Sequence, residues 1–147
     1  MMTHISKISE KDIPAISNLY VSVFRAPPWN EEWNVEWAID RLQGIYNSPG
    51  FYGCLYKENS NPIAALLGRS LAFKGCREFE IVELFVDSQH QGNGIGTELV
   101  KYLESFLKQK GYFKTTLLTA RDTQVEEFYV KNGFKTSKRM IYMSHEL

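Results

Sequence analysis

The stretch ELFVDSQHQGNGIGTELV, residues 83–100, constrains this chain more than any other. It closes a run rich in β-branched and aromatic residues, REFEIVELFVD at 77–87, which predicts a strand. The period then changes. Ile95, Leu99, Val100, Leu103, Phe106 and Leu107 recur at helical spacing, with Lys101, Glu104 and Lys108 elsewhere around the helix. Gly111 is a natural residue to stop that helix, and KTTLLTA at 114–120 reads as a short buried strand. Strand, helix and strand make a βαβ unit, whose two strands lie parallel in one sheet. The fold class is therefore α/β.

Upstream, THISKI at 3–8 alternates like a short strand, and a helix follows over about 10–24. Ser9 and Asp12 form a capping-box-like pair, with Ile8 and Ile13 at staple positions. Ile13, Ile16, Tyr20 and Val23 mark the helix's apolar face. Pro27 and Pro28 end it. NVEWAIDRLQGIYN predicts a second helix, capped by Asn34. FYGCLYK (51–57), IAALLGRSLAF (63–73) and the strand at 77–87 are joined by short turns, which predicts an antiparallel meander. After the βαβ unit, TQVEEFYVKN is a helix stopped at Asn132-Gly133, and FKTSKRMIYMSHEL reads as one or two closing strands. No repeat or linker interrupts the chain, so residues 1–147 are read as one domain.

Gly92, Gly94 and Gly96 stand where the strand hands over to the helix, although glycine costs about 1 kcal/mol in a helix. A Walker A loop needs Lys followed by Ser or Thr after its last glycine, and here Thr97-Glu98 follow. The dinucleotide fingerprint fails too, because Thr97 or Leu99 stands where its third glycine belongs. Two readings remain: a tight turn with close helix–sheet packing, or a bare helix N-terminus whose N–H groups cradle an anion.

The neighbouring residues resemble a known family. Gln91-Gly92-Asn93-Gly94-Ile95-Gly96 matches Q/R-x-x-G-x-G/A, the pyrophosphate loop of the GCN5-related N-acetyltransferases (GNAT). ELFVDSQH before it resembles that family's motif strand. Phe128-Tyr129, followed by Asn132-Gly133-Phe134, resembles its Y-x-x-x-G-F ending. The resemblance covers the whole chain in element order. It implies the acyl-CoA N-acyltransferase fold, a mixed sheet of about six to seven strands flanked by about four helices. It also implies transfer of an acetyl group from acetyl-CoA to an amine.

Site residues follow from the same resemblance. Backbone amides from Gln91 through Gly92, Asn93, Gly94, Ile95 and Gly96 to Thr97 would hold the pyrophosphate. The backbone of Leu84, Phe85 and Val86 would pair with pantetheine as a strand does, where the family's strands splay, often at a bulge. An amide there would also stabilise an oxyanion. Tyr129 occupies the family's general-acid position. A primary amine with pKa near 10.4 arrives protonated and needs a base. Glu80 and Glu83 are the candidates, with a water chain as the alternative. In an unbroken strand the two glutamates face opposite sides, so at most one would serve unless a bulge intervenes. The family often carries Asn seven residues before the tyrosine, in contact with pantetheine; this chain has Asp122 there, which the resemblance implies as a further cofactor-binding residue and which caps helices equally well.

The acceptor side of the family is shaped by the first two helices and their loop, here FRAPPWNEEWNVEW. Trp29, Glu32 and Trp33 are the expected acceptor contacts, with Trp37, Glu31, Glu36 and Asp40 nearby. Aromatic faces and carboxylates together suit a cationic amine. The P-P-W-N-E-x-W pattern is similar to an aminoglycoside-type subgroup. The expected acceptor is therefore a small aminoglycoside- or polyamine-like amine, attacking directly in a ternary complex. A protein or peptide amine, or acetyl-CoA binding without catalysis, are the alternatives. A closed pocket would favour the small molecule, and a shallow open groove a peptide.

Composition excludes some partners. Seventeen basic residues balance 17 acidic ones, so no global charge draws the chain to nucleic acid. No apolar run approaches the roughly 18 residues of a membrane helix. Cys54 and Cys76 have no metal spacing, and no other metal site is expected. With no export signal, they are read as reduced thiols in a cytoplasmic protein. His90 is expected to be an exposed loop residue. Family members often dimerise through late strands, which makes a homodimer the expectation the resemblance carries.

Overall fold

A computed structural model describes residues 4–147, so the start of the expected first strand, Thr3, lies outside the described residues. The chain divides into two compact units, Met1–Thr116 and Leu117–Leu147. The first contains β1 (Ile5–Lys7), α1 (Ile13–Arg25), α2 (Val35–Tyr46), β2 (Tyr52–Glu58), β3 (Asn61–Phe73), β4 (Cys76–Val86), α3 (Ile95–Gln109) and β5 (Lys114–Thr116). The second contains α4 (Gln124–Lys131). No described helix is long and apolar enough to cross a membrane.

Local chemistry sets these boundaries. The Ser9–Asp12 box forms, with the Ser9 amide donating to Asp12 Oδ2 at 2.8 Å. It closes a 3-10 turn at Glu10–Asp12, so the α-helix proper starts at Ile13 rather than at 10. Asn34 caps α2 by accepting from the Trp37 amide at 2.9 Å. Both hairpins turn on two residues with positive φ, Asn59-Ser60 and Lys74-Gly75. Such two-residue turns match the right-handed twist of the strands they join.

The sheet order is β1-β2-β3-β4-β5, with the first three pairings antiparallel and β4–β5 parallel, as a βαβ unit requires. Partnered residues share a face, so contacts assign the two faces. Leu55, Ala65, Leu67 and Phe85 join Ile16, Tyr20, Ala38 and Leu42 in the core under α1 and α2. Cys54 and Tyr52 face α3, the Cys54 thiol toward the Leu99 carbonyl and the Tyr52 ring stacked on Phe106. Burial pushes the Cys54 thiol pKa well up, as for an inert core thiol.

β4 carries one extra residue. Leu67 partners Glu83 and Gly68 partners Ile81, leaving Val82 between them without a partner. Before the bulge the odd residues Phe79 and Ile81 lie on the α3 face. After it the odd residues Glu83 and Phe85 lie on the α1–α2 face. Gly68 sits opposite this irregularity, where an added Cβ would overlap the Glu80 carbonyl and the Phe79 ring.

Five strands are formed among the described residues, fewer than the six to seven expected. β5 stops at Thr116 instead of 120, and residues 134–147 form no strand. Met140, Ile141, Tyr142 and Met143 are each more than 70% exposed. β-Propensity supplies side chains suited to a sheet, but a strand exists only where a neighbouring backbone takes its hydrogen bonds.

In the second unit, Thr123 caps α4 by accepting from the Glu126 amide at 3.3 Å. The expected cap, Asp122, instead takes a left-handed conformation (φ 60) and donates its amide to Glu126 Oε1 at 2.7 Å. Thr136 bonds Glu126 Oε2 at 2.6 Å, and these two bonds hold the Glu126 carboxyl below its ordinary pKa. Tyr129 is buried between Phe128 and Phe134, both packed edge-on within about 5 Å.

Gly68→Ala is expected to destabilise the protein by about 1–3 kcal/mol, because the new methyl must displace backbone rather than a flexible side chain. Urea unfolding of the variant beside the parent measures this, and an unchanged midpoint would contradict the close packing at the bulge.

Candidate active site

The glycine loop leaves a helix N-terminus bare. Gly94 is the N-cap of α3 in the left-handed region (φ 80), with no side chain to cap the helix. Among the described residues, the first-turn amides of Ile95, Gly96 and Thr97 therefore meet no side-chain acceptor. Gly92 is also left-handed (φ 82), and space is open where a Cβ at either position would stand. Only glycine takes these conformations without strain, and the missing side chains let an anion reach the backbone. The Gln91 side chain points back, donating from Nε2 to the Val86 carbonyl at 3.0 Å. It ties the loop to the strand end.

His90 reinforces that tie. Its Nδ1 lies 2.7 Å from Asp87 Oδ2, and its Nε2 lies 3.5 Å from Glu58 Oε1. The bond to Asp87 holds its pKa above the usual imidazole value. The expected exposed loop histidine is in fact a half-buried brace between β4 and the end of β2.

The neighbouring strand has an edge that β5 leaves uncovered. β5 ends opposite Glu80, while β4 continues to Val86. The Asp87 amide donates to the Ile63 carbonyl on the β3 side. By alternation Phe85 turns its polar backbone groups to β3, and Leu84 and Val86 turn theirs to the other edge. Of the three backbone positions expected to pair with pantetheine, two thus face outward.

The bulge brings both glutamates to the α1–α2 side. Glu83 is buried, and its Oε1 accepts from the Tyr20 hydroxyl at 3.3 Å and from Arg41 Nε at 2.6 Å. Burial raises its pKa, with Arg41 and Tyr20 partly offsetting. Tyr20 is raised too, by burial and by the adjacent carboxylate. Glu80 pairs with Arg69 Nε at 3.0 Å in a more exposed setting.

An open cleft of about 580 Å³ lies on this side, lined by Trp33, Trp37, Asp40, Arg41, Arg69 and Val82 among others. Trp33 is where the acceptor contacts were expected. Trp29 and Glu32 do not line the cleft, and Trp29 packs on Phe24 instead. Arg41, Arg69 and Tyr20 were not singled out from the sequence. Arg41 does fall on the same helix as Trp37 and Asp40 at spacings of three to four, one face of a helix.

The chain belongs to the acetyltransferase (GNAT) family, whose model matches residues 13–134. It is thereby an acetyl-CoA-dependent N-acetyltransferase. An aminoglycoside acetyltransferase from an uncultured soil metagenomic sample, crystallised with sisomicin, is 21% identical, with 97% of this chain and 95% of that one aligned at TM-score 0.75. An integron cassette protein from V. cholerae is 16% identical at TM-score 0.83, covering 99% of this chain and 93% of that one. A ribosomal-protein-alanine N-acetyltransferase from Brucella melitensis biovar Abortus 2308 is 14% identical at TM-score 0.75, covering 97% and 98%. At these identities the structures share the fold. No curated protein matches the chain.

Arg41→Ala is expected to cost about 1–3 kcal/mol at neutral pH, less than the roughly 3–5 of a fully buried pair because nearly half of Arg41 is in water. Glu83 already has a raised folded pKa, and losing Arg41 raises it further. A raised group favours the folded state below its unfolded pKa and loses that contribution as pH rises through the folded one. The deficit of the variant should therefore shrink toward pH 4 and grow toward pH 8. Denaturant titrations at both pH values check this, and an equal deficit at both would contradict it.

Proposed function

We propose that the whole chain acts as one acetyltransferase domain that moves the acetyl group of acetyl-CoA to the primary amine of a small molecule arriving as a cation, aminoglycoside- or polyamine-like. The family match, which runs through both compact units, supports the single-domain reading. The observation that carries the acceptor reading is the cleft. Two indole side chains and Asp40, which has no ion-pair partner among the described residues, line one cavity beside the bulge. Cations bind aromatic faces, and an unpaired carboxylate adds charge attraction.

The acetyl-CoA reading rests on the loop and the strand edge. Amides from Gly92 to Thr97 have the helix N-terminal polarity that favours a pyrophosphate, and Gly92 and Gly94 place no side chain in its way. Leu84 and Val86 offer outward N–H and C=O groups for the pantetheine amides. Glu83 is the favoured base. Its raised pKa lies closer to the working pH than that of an ordinary carboxylate, and among the described residues both its hydrogen bonds fall on Oε1, leaving Oε2 to take a proton. Tyr129 is the proposed acid that returns a proton to the thiolate. Transfer by direct attack needs acetyl-CoA and amine bound together.

The open form of the cleft favours a second reading, a peptide or protein amine. Thiol release from acetyl-CoA across polyamines, aminoglycosides, amino acids and peptides separates the two, and no turnover on any of them would remove both. Tyr129→Phe and Glu83→Gln should each lower kcat by about 10²- to 10⁴-fold while acetyl-CoA binds nearly as before. An unchanged kcat in either variant takes that residue out of the chemistry.

A further inference from the structure

Among the described residues, two guanidinium groups line the cleft beside its one unpaired carboxylate, each with N–H donors that its ion pair does not use. Arg41 reaches it from α2 and Arg69 from β3. Each guanidinium is anchored by its Nε, Arg41 to Glu83 and Arg69 to Glu80. A guanidinium carries five N–H donors in one plane. Arg69 has one acceptor among the described residues, and Arg41 has Glu83 and the Tyr20 hydroxyl. Both side chains stay about half exposed, at 45% and 53%. Two forks fixed at one corner thus present their remaining donors to the same cavity. Fixing the Nε removes much of the conformational freedom that an exposed arginine would otherwise lose on binding.

On the opposite sign the cleft offers Asp40, while Glu80 and Glu83 are each matched by an arginine. A polyamine here would gain one carboxylate and leave the remaining donors of both guanidinium groups without a partner from the ligand. A molecule bearing both an amine and a carboxylate meets Asp40 and accepts from those donors as well. The guanidinium fork suits a planar carboxylate in particular, since it can donate two parallel bonds.

We propose that the acceptor is an amino-acid-like zwitterion, its carboxylate held by Arg41 and Arg69 and its ammonium side by Asp40 and the faces of Trp33 and Trp37. This rests on the reading of the cleft as the acceptor site and narrows it from a polycation to an amine that carries its own carboxylate.

The test compares acetyl-CoA-dependent acetylation of a panel of amino acids, each beside its own carboxamide, with cadaverine and spermidine alongside. The wild-type protein is expected to prefer at least one amino acid over its carboxamide by about tenfold or more in kcat/KM, equivalent to about 1.4 kcal/mol. Arg69→Gln should bring that ratio close to one, and Arg69→Lys should keep part of it, because charge survives without the fork. A ratio near one in the wild type, or a preference for the amides and diamines, overturns the inference and leaves the amine acetyltransferase reading standing. A ratio that persists in Arg69→Gln overturns it as well. If no amine turns over, the acceptor reading of the cleft falls, and this inference with it. The wild-type comparison does not depend on the variants folding.

Discussion

Val82 has no partner on β3, and the chemistry available on this sheet depends on that one extra residue. A strand alternates its side chains with a period of two, so an unbroken β4 would send Glu80 and Glu83 to opposite faces. The bulge shifts the alternation. Phe79 and Ile81 pack toward α3, and three residues beyond Glu80 the Glu83 carboxylate meets Tyr20 and Arg41 on the other side. Gly68 permits it, since the β4 backbone and the Phe79 ring come close to where its Cβ would be. The same strand, past the end of β5, turns Leu84 and Val86 outward, so one irregularity separates a paired half of β4 from a half with a polar edge to offer.

The site's electrostatics follow from this placement. Water is taken from Glu83 by burial, and a buried carboxylate persists only with compensating donors. Arg41 and Tyr20 supply them from two different helices, which fixes α1 and α2 against the strand at that point. Just past the same end of β4 the helix N-terminus has no side-chain cap, and His90, Asp87, Glu58 and Gln91 brace the loop that leads to it. The C-terminal half of the strand thus carries a guarded negative charge at Glu83, and the loop just past it leads to a bare helix N-terminus.

Much of this was legible in the sequence. The glycine loop, the βαβ unit, the meander, the Ser9 and Asn34 caps and the apolar face of α1 all follow from local rules that act within a few residues. The local rules misjudged Asp122, because Thr123 one residue later makes the same capping bond. They also misjudged the closing strands, whose existence depends on a partner backbone. Trp33 was legible as a cleft residue, but Trp29 was not separable from it, since closeness in sequence does not say which indole reaches the cleft and which stays exposed over Phe24.

The sequence by itself determined the class of fold, the position of the glycine turn and the short list of ionisable residues on β4. These depend on periodicity, on φ angles that only glycine adopts freely, and on residue type. The tertiary structure alone decided which of those residues share a site. A bulge is a matter of register between two strands, and an arginine finds its carboxylate across 42 residues of chain for Arg41 and Glu83. Neither depends on neighbours in sequence, so neither could be read from the order of residues.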